Sequence, residues 1–189
     1  VEDVAVVTPQ IAVITLPGAR ERAGEAQHIE PVLSRYRSIA RIQTPGTLDG
    51  GDVMQAGDHF YIGVSDRTNE EGARQLGYIL GQFGYQWETV PVSGGLHLKS
   101  DVSYIGRNSL LISEGLARSR AFANYDRIIV DEAETYAANS LLINDVIIMP
   151  KGFSRTRGKL KGAGFEVIAL ETSEMQKMDG GLSCMSLRF

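Results

Sequence analysis

The feature that most constrains the fold of this chain is an internal repeat of two short apolar strands, a helical stretch and a third strand. Short apolar runs on either side of turn residues predict the hairpin, and the longer amphipathic stretch after them predicts the helix. About four copies follow one another. A unit of this size cannot bury its apolar face alone, so neighbouring copies must share a core, as in propellers and solenoids.

The repeat predicts the following elements. The hairpins span 4–16, 53–64, 102–112 and 140–149, the helices span 21–36, 69–83, 116–123 and 154–163, and the closing strands span 39–42, 87–92, 127–130 and 166–170. Residues 182–189 predict the first strand of a fifth copy whose hairpin partner is missing from the sequence. The simplest interpretation is one α/β domain over 1–189, built as a closed ring of about four modules plus that strand.

Composition excludes several classes of partner. With 19 basic and 23 acidic residues well mixed and a net charge of -4, the sequence has no basic stripe for nucleic acid or anionic lipid. It has no apolar run long enough to span a membrane. One cysteine cannot form an internal disulfide, so a reducing, cytoplasmic location is expected. Because the chain opens at Val1 inside an apolar run, we expect it to be a fragment that lacks an N-terminal segment.

The segments that link one copy to the next are rich in glycine, and they carry the residues with chemical potential. Equivalent positions of a cyclic repeat lie at equivalent places around its axis, so residues distant in sequence would converge on one central site. Glycine beside them lets the backbone turn and lets a ligand approach. The residues concerned are Glu2, Asp3, Asp49, Asp52, His97, Asn139 and Cys184.

Taken singly, these residues have structural explanations. Cys184 would be a small buried hydrophobe, His97 a core histidine, and Asp49 and Asp52 turn formers. Their shared place in the repeat favours a site instead, because a cysteine, a histidine and a carboxylate together supply a thiol nucleophile, a proton shuttle and the group that orients the shuttle.

Six segments in order along the chain resemble the dimethylarginine dimethylaminohydrolases, members of the guanidino-group-modifying superfamily. They are 1–3, 17–19 with Arg22, 48–52 (Leu-Asp-Gly-Gly-Asp), 65–69, 96–99 and 179–184 (Asp-Gly-Gly-Leu-Ser-Cys). The resemblance implies an α/β fold, a five-fold pseudosymmetric α/β propeller of hairpin-helix-strand modules. Family members carry about half a module before the Val-Glu-Asp stretch, so the resemblance also implies that the first module is incomplete here.

The resemblance assigns roles to individual residues. Cys184 would be the nucleophile, His97 the general acid and base, and Asp49 the carboxylate that orients His97 and touches the guanidinium. Asp3 with Glu2 would hold the guanidinium nitrogens, because carboxylates suit a planar fork of donors.

Three further residues would bind the amino-acid part of the substrate. Arg22 and Arg67 would grip its α-carboxylate, and the backbone carbonyl of Met178 would accept its ammonium group. From the residues alone, the two arginines would more simply be surface charges flanking helices.

The implied activity is hydrolysis of asymmetric dimethylarginine and monomethylarginine to citrulline and an amine through a covalent thiouronium, with no cofactor and no metal. The expected partner is the methylated arginine, and a homodimer stays open. Two alternatives remain: an arginine deiminase-like guanidino hydrolase, and a non-catalytic propeller that binds a partner.

Overall fold

The computed structural model describes residues 1–22, 24–93 and 96–188. These residues form two compact units, Val1–Leu98 with Ser186–Phe189, and Lys99–Met185. Each unit contains two three-stranded sheets of one topology, in which the second strand is central. The first strand pairs with it antiparallel, as a hairpin, and the third pairs with it parallel after a crossover.

The first unit holds the first two sheets. They consist of β1 (Ala5–Val7), β2 (Ile11–Ile14), α1 (Ala26–Leu33) and β3 (Ser38–Arg41), followed by β4 (Val53–Ala56), β5 (His59–Val64), α2 (Glu70–Gly81) and β6 (Gln86–Pro91). Short 3-10 turns occupy Glu2–Val4, Arg20–Arg22 and Gly50–Asp52. Two of these turns immediately precede a hairpin, where the sequence placed its candidate site residues.

The second unit begins at Lys99, inside the short helix α3 (Leu98–Asp101). It consists of β7 (Val102–Tyr104), β8 (Ser109–Ser113) and β9 (Asp126–Val130), then β10 (Leu141–Ile143), β11 (Val146–Pro150), α4 (Ser154–Gly162), β12 (Glu166–Leu170) and α5 (Ser173–Gln176). The 3-10 turns here are Leu116–Arg118, Arg120–Phe122, Glu132–Ala138 and Ser183–Met185.

Local chemistry explains why these elements form where they do. The Asn69 side chain caps α2 by accepting the Gly72 N–H, and Glu70 and Glu71 lie at the positive end of its dipole. The β7–β8 turn has positive φ at both Arg107 and Asn108, and the β10–β11 turn repeats this at Asn144 and Asp145. Paired positive φ values are typical of the two-residue turns that match the twist of a hairpin.

The two sheets of each unit share apolar cores, as the repeat requires. In the first unit Val13 of β2, Ile62 of β5 and Leu76 of α2 belong to one buried cluster. In the second unit Leu111 of β8 and Ile147 of β11 do the same. A single hairpin-helix-strand copy would leave these side chains exposed on one face.

Three predicted elements differ from the structure. The predicted helix 116–123 is two 3-10 turns, because Ser119 between them has an extended backbone (φ -64°, ψ 135°). The predicted helix 21–36 begins only at Ala26, since Arg22 belongs to a separate turn. The predicted strand 182–189 is instead a 3-10 turn over Ser183–Met185, closed by the Met185 N–H on the Leu182 carbonyl; Phe189 lies outside the described residues.

The α/β class with repeated mixed sheets is therefore confirmed. The five-fold ring, the single domain over 1–189 and the incomplete first module stay predictions. Within the described residues, none of the helices has the length and apolar character needed to cross a bilayer.

Candidate active site

Three carboxylates and a histidine are buried together in the first unit. Asp49 and Asp52 are 0% exposed, His97 is 6% exposed and Asp3 is 8% exposed. Single ligand atoms of Asp3, Asp49 and His97 all lie within 4.8 Å of one another. All four residues precede a hairpin or the short helix α3, so the predicted convergence of the linking segments holds within this unit. Gly94 and Gly95, which the sequence placed beside His97, lie outside the described residues.

His97 is held between two carboxylates. Its Nδ1 lies 3.5 Å from Asp52 Oδ2, and its Nε2 lies 3.9 Å from Asp3 Oδ1. Burial lowers the pKa of His97, but the nearby carboxylates of Asp52, Asp3 and Asp49 outweigh burial and raise the pKa above its usual value. The carboxylate that faces Nδ1 is that of Asp52, whereas the resemblance assigned the orienting role to Asp49.

Asp52 is itself fixed by three donors. Its Oδ2 accepts the hydroxyls of Ser65 and Thr68, each at 2.7 Å, and its Oδ1 accepts the Leu98 N–H at 2.9 Å. A carboxylate with this many donors keeps one orientation, so it fixes a charge beside the imidazole.

Asp3 lies on the other side of His97. Burial raises its pKa, but the charges of His97 and Arg22 and the Gly51 N–H, which donates to Oδ1 at 2.7 Å, together lower the pKa below its usual value. Gly51 is required here: a Cβ would lie 2.7 Å from the His97 ring and 2.8 Å from Asp3 Oδ1. Asp3 therefore stays ionised at neutral pH.

Asp49 faces a different set of groups. Its Oδ1 accepts the Gly18 N–H at 2.9 Å, and its Oδ2 lies 3.4 Å from Arg22 Nη1. Burial, followed by the charge of Asp3, raises the pKa of Asp49 above its usual value in spite of the Gly18 N–H. The two carboxylates thus share a site in which one resists ionisation more than the other.

A guanidinium group already contacts this carboxylate pair. Arg22 Nη1 lies 2.9 Å from Asp3 Oδ2 and 3.4 Å from Asp49 Oδ2, while Nε and Nη2 donate to the Glu25 carboxylate at 3.0 and 2.8 Å. The resemblance assigned Arg22 to a substrate carboxylate. That contact stays a prediction. In the structure Asp3 and Asp49 accept the planar cation of Arg22, which is the property expected of a guanidinium site.

The remaining predicted binding residues lie at separate places. Glu2 is buried in the Glu2–Val4 turn, and its carbonyl packs so tightly on Gly50 that a Cβ there would lie 2.3 Å from the oxygen. Arg67 is partly buried, and its backbone N–H donates to Ser65 Oγ. Met178 belongs to the second unit and its side chain is 85% exposed. Their contacts with a substrate stay predictions.

Cys184 lies in the second unit, on the Ser183–Met185 turn, and is partly exposed. The Gly181 N–H points to its Sγ at 3.5 Å. The turn therefore directs one backbone N–H donor at the sulfur.

The comparisons with known proteins identify the family. Over its whole length the chain is 45% identical to 75% of the N(G),N(G)-dimethylarginine dimethylaminohydrolase of Pseudomonas aeruginosa. The chain belongs to the dimethylarginine dimethylaminohydrolase family. No family model matches the chain.

Solved structures of this family agree with the sequence comparison. One is a Cys-to-Ser variant of the P. aeruginosa dimethylarginine dimethylaminohydrolase complexed with citrulline, with a TM-score of 0.97 and 44% identity over 100% of this chain and 74% of that one. Another is a His-to-Gly dimethylarginine dimethylaminohydrolase in an adduct with S-methyl-L-thiocitrulline, with a TM-score of 0.96 and 44% identity over 100% and 75% of the two chains.

Two residues that contact candidate catalytic residues, or the turn that carries one, have no role assigned from the sequence. Asp52 was weighed as a turn former, yet it contacts His97. Asn139 occupied an equivalent position of the repeat, and it holds the turn that carries Cys184 through Ser183. The repeat position was the signal for both residues, because it marked them as entry points of a module, but it could not specify which atoms they contact.

Proposed function

We propose that the chain hydrolyses N(omega)-methylated L-arginine, asymmetric dimethylarginine and monomethylarginine, to L-citrulline and dimethylamine or methylamine. The observation that carries the proposal is the guanidinium of Arg22 held by Asp3 and Asp49 beside His97. A site that accepts this group from its own chain has the charge and hydrogen-bond acceptors to take it from a substrate. Membership of the dimethylarginine dimethylaminohydrolase family supplies the substrate class.

In the proposed complex the substrate guanidinium takes the place of Arg22 Nη1 on Asp3 and Asp49, with Glu2 nearby. Arg22, once displaced, is free to turn to the substrate α-carboxylate together with Arg67, and the Met178 carbonyl accepts the α-ammonium. The exchange conserves charge, because one guanidinium leaves the carboxylates as another arrives.

The first chemical step is attack by the Cys184 thiolate on the central guanidinium carbon. A C–S bond forms, and the C=N electron pair moves onto nitrogen to give a tetrahedral adduct. His97 donates a proton to the methylated nitrogen, the C–N bond breaks and the amine leaves, so the carbon becomes a thiouronium bound to Cys184. The nearby carboxylates raise the pKa of His97, which favours the protonated imidazole that this step requires.

The second step regenerates the enzyme. Water attacks the thiouronium carbon while neutral His97 takes one of its protons. The C–S bond then breaks with its electron pair returning to sulfur, the C=O bond forms, and the remaining hydroxyl proton passes to solvent, where the released amine takes it up. The products are a ureido group, which makes the product citrulline, and the free thiolate. One water is consumed and one amine is released, and no cofactor takes part in these steps.

The thiolate needs stabilisation and protection. A reference cysteine has a pKa of about 8.5 and is mostly protonated at neutral pH. The bound guanidinium cation and the Gly181 N–H both favour the anion. A thiol with this role must stay reduced, so we propose a reducing, cytoplasmic setting.

The nucleophile is tested by Cys184→Ser. We expect turnover of asymmetric dimethylarginine to fall by at least about 1000-fold, since serine lacks an activated thiolate. Substrate binding, measured by calorimetry, should change by less than about threefold, because the carboxylates that hold the guanidinium are intact. Citrulline formation by the variant at a rate near that of the wild type would overturn the assignment of Cys184.

The proton shuttle is tested by His97→Ala, with His28→Ala as the matched control because His28 is exposed on α1. Acid-quenched mass spectrometry should show His97→Ala stalled at or before the thiouronium adduct on Cys184. The control should turn over like the wild type. Equal activity in the two variants would contradict the role of His97.

The substrate class is tested by comparing arginine with its monomethyl and asymmetric dimethyl forms. The proposal expects the methylated forms to have the higher kcat/KM. A preference for arginine would favour the deiminase-like alternative. The absence of any turnover, with tight retention of a partner protein, would favour a binding module.

A further inference from the structure

The turn that carries Cys184 is held by one buried side chain, that of Asn139. Asn139 Oδ1 accepts the Ser183 N–H at 3.0 Å, and its Nδ2 donates to Ser183 Oγ and to the Lys99 carbonyl, each at 2.8 Å. The amide therefore satisfies both the backbone and the side chain of the residue before the nucleophile. Asn139 is only 7% exposed, so these bonds are made away from water.

The same amide also contacts the glycine on the other side of the turn. A Cβ on Gly181 would lie 2.5 Å from Asn139 Oδ1, so residue 181 lies directly against the amide. Gly181 is the residue whose N–H points at Cys184 Sγ. The Tyr136 hydroxyl, from the turn just before Asn139, donates to the Gly180 carbonyl at 2.7 Å. The path of the backbone around the sulfur thus depends on Asn139 and its neighbourhood.

The charge of this side chain is as informative as its geometry. Asp3 accepts the Gly51 N–H and Asp52 accepts the Leu98 N–H at equivalent positions in the first unit, so a carboxylate can make the acceptor bond. A carboxylate at 139 would place a negative charge next to a residue that must become an anion. A neutral amide makes the same acceptor bond and adds a donor, with no such repulsion.

We propose that Asn139 is a positioning residue for the Cys184 nucleophile: its neutral amide fixes residues 181–184 so that the Gly181 N–H faces the sulfur, and it does so without a negative charge beside the thiolate. The inference rests on the proposed function only in taking Cys184 as the nucleophile.

The first experiment measures the reactivity of the thiol without any substrate. Cys184 is the only cysteine in the chain, so the rate of iodoacetamide alkylation against pH reports this one thiol. Asn139→Asp should move the midpoint of that profile upward by about one pH unit and slow alkylation at neutral pH by about tenfold. Asn108→Asp is the matched control, because it makes the same chemical change at a residue that is exposed in the β7–β8 turn. The midpoint of its alkylation profile should equal that of the wild type.

A second variant separates positioning from simple support of the fold. Ser183→Ala removes the acceptor of one Asn139 bond without changing charge, so it should lower the melting temperature while leaving the midpoint within about 0.2 pH unit of the wild type. Asn139→Asp with an unchanged midpoint, or an equal shift in Asn108→Asp, would overturn the proposal.

Steady-state kinetics on a further variant provide a test that does not require Asn139→Asp to fold. Asn139→Ala should lower kcat for dimethylarginine by at least about tenfold with KM within about twofold, because a misplaced sulfur impairs attack more than binding. Equal losses in kcat and in the folded fraction would show a purely structural role and overturn the proposal. If the wild-type chain alkylates normally but does not turn over dimethylarginine, the proposed function fails while the alkylation profiles still test Asn139.

Discussion

The acidic cluster of the first unit and the turn of the second unit that carries Cys184 are held by the same kind of hydrogen bond. In the first unit, Asp3 and Asp52 each reach from the entry of one module and accept a backbone N–H at the entry of the next, from Gly51 and Leu98. In the second unit Asn139 makes the corresponding bond to the turn of the nucleophile. The acceptor geometry is shared, but the charge is not.

The difference in charge between these acceptor side chains follows the chemistry of the groups near them. The carboxylates of the first unit face a histidine whose pKa they raise and a guanidinium that they bind, so a negative charge is useful there. The Asn139 amide of the second unit contacts Gly181 and Ser183, the residues around Cys184, whose reactive form in the proposed function is an anion. A repeated module can therefore keep the same hydrogen bond while the choice between aspartate and asparagine sets the local potential.

Among the substitutions that test this comparison, the largest expected effect comes from removing one charge of the acidic cluster. Asp3→Asn should lower kcat/KM for dimethylarginine by roughly 10- to 100-fold, since a charge-assisted hydrogen bond contributes about 1.5–3 kcal/mol. The effect should appear mainly in KM, measured by steady-state kinetics. Asp131→Asn, a partly exposed aspartate of the second unit paired with Lys159, is the control and should leave KM unchanged.

The next largest effect concerns packing against the neutral amide of Asn139. Gly181→Ala forces a Cβ to within 2.5 Å of Asn139 Oδ1, and overpacking of this kind costs about 1–3 kcal/mol of unfolding free energy. Urea denaturation measures the loss, and alkylation of Cys184 should slow as well. Gly115→Ala is the control, because a Cβ there meets nothing within 4 Å and φ is -61°. Equal stability of the two variants would break the comparison.

A smaller effect tests the charge that faces His97. Asp52→Asn should lower the pKa of His97, because the nearest carboxylate is neutralised. NMR titration of the imidazole measures this directly, and the limb of the kcat/KM profile that requires protonated His97 should move to lower pH. Asp58→Asn, in an exposed turn, should shift neither the pKa of His97 nor this limb of the kcat/KM profile.

The sign of the linked stability follows from the same shift. Because the pKa of His97 is raised by folding, its contribution to stability is fully present below about pH 6.5 and is lost as the pH rises through the folded value. Asp52→Asn should therefore destabilise the chain more at about pH 5.5 than at about pH 9. A destabilisation independent of pH would show that Asp52 acts only through its hydrogen bonds to Ser65, Thr68 and Leu98.

The smallest expected effect is at the rim of the acidic cluster. Glu25→Gln removes the exposed partner of Arg22, and a surface ion pair contributes at most about 1 kcal/mol. The melting temperature should change little and KM by less than about threefold. A much larger change in KM would show that Glu25 controls when Arg22 leaves Asp3.

Much of the fold could be predicted because local rules decide it. The hairpins follow from apolar runs on either side of turn residues such as Asn144-Asp145, and α2 follows from the cap at Asn69. The errors fall where local rules compete with tertiary contacts. Residues 182–188 have an apolar, strand-like pattern, yet the bonds from Asn139 to Ser183 hold them in a turn.

The sequence by itself determined which residues are candidates for the proposed chemistry: the repeat and the family motifs select Asp3, Asp49, His97 and Cys184 by position and residue type. Only the tertiary structure decided which atoms meet. Asp49 and Asp52 are three residues apart in one glycine-rich segment, and the 3-10 turn at Gly50–Asp52 directs one toward Arg22 and the other toward His97. The physical reason is that side-chain direction depends on backbone dihedral angles and on donors distant in sequence, and neither is encoded in spacing alone.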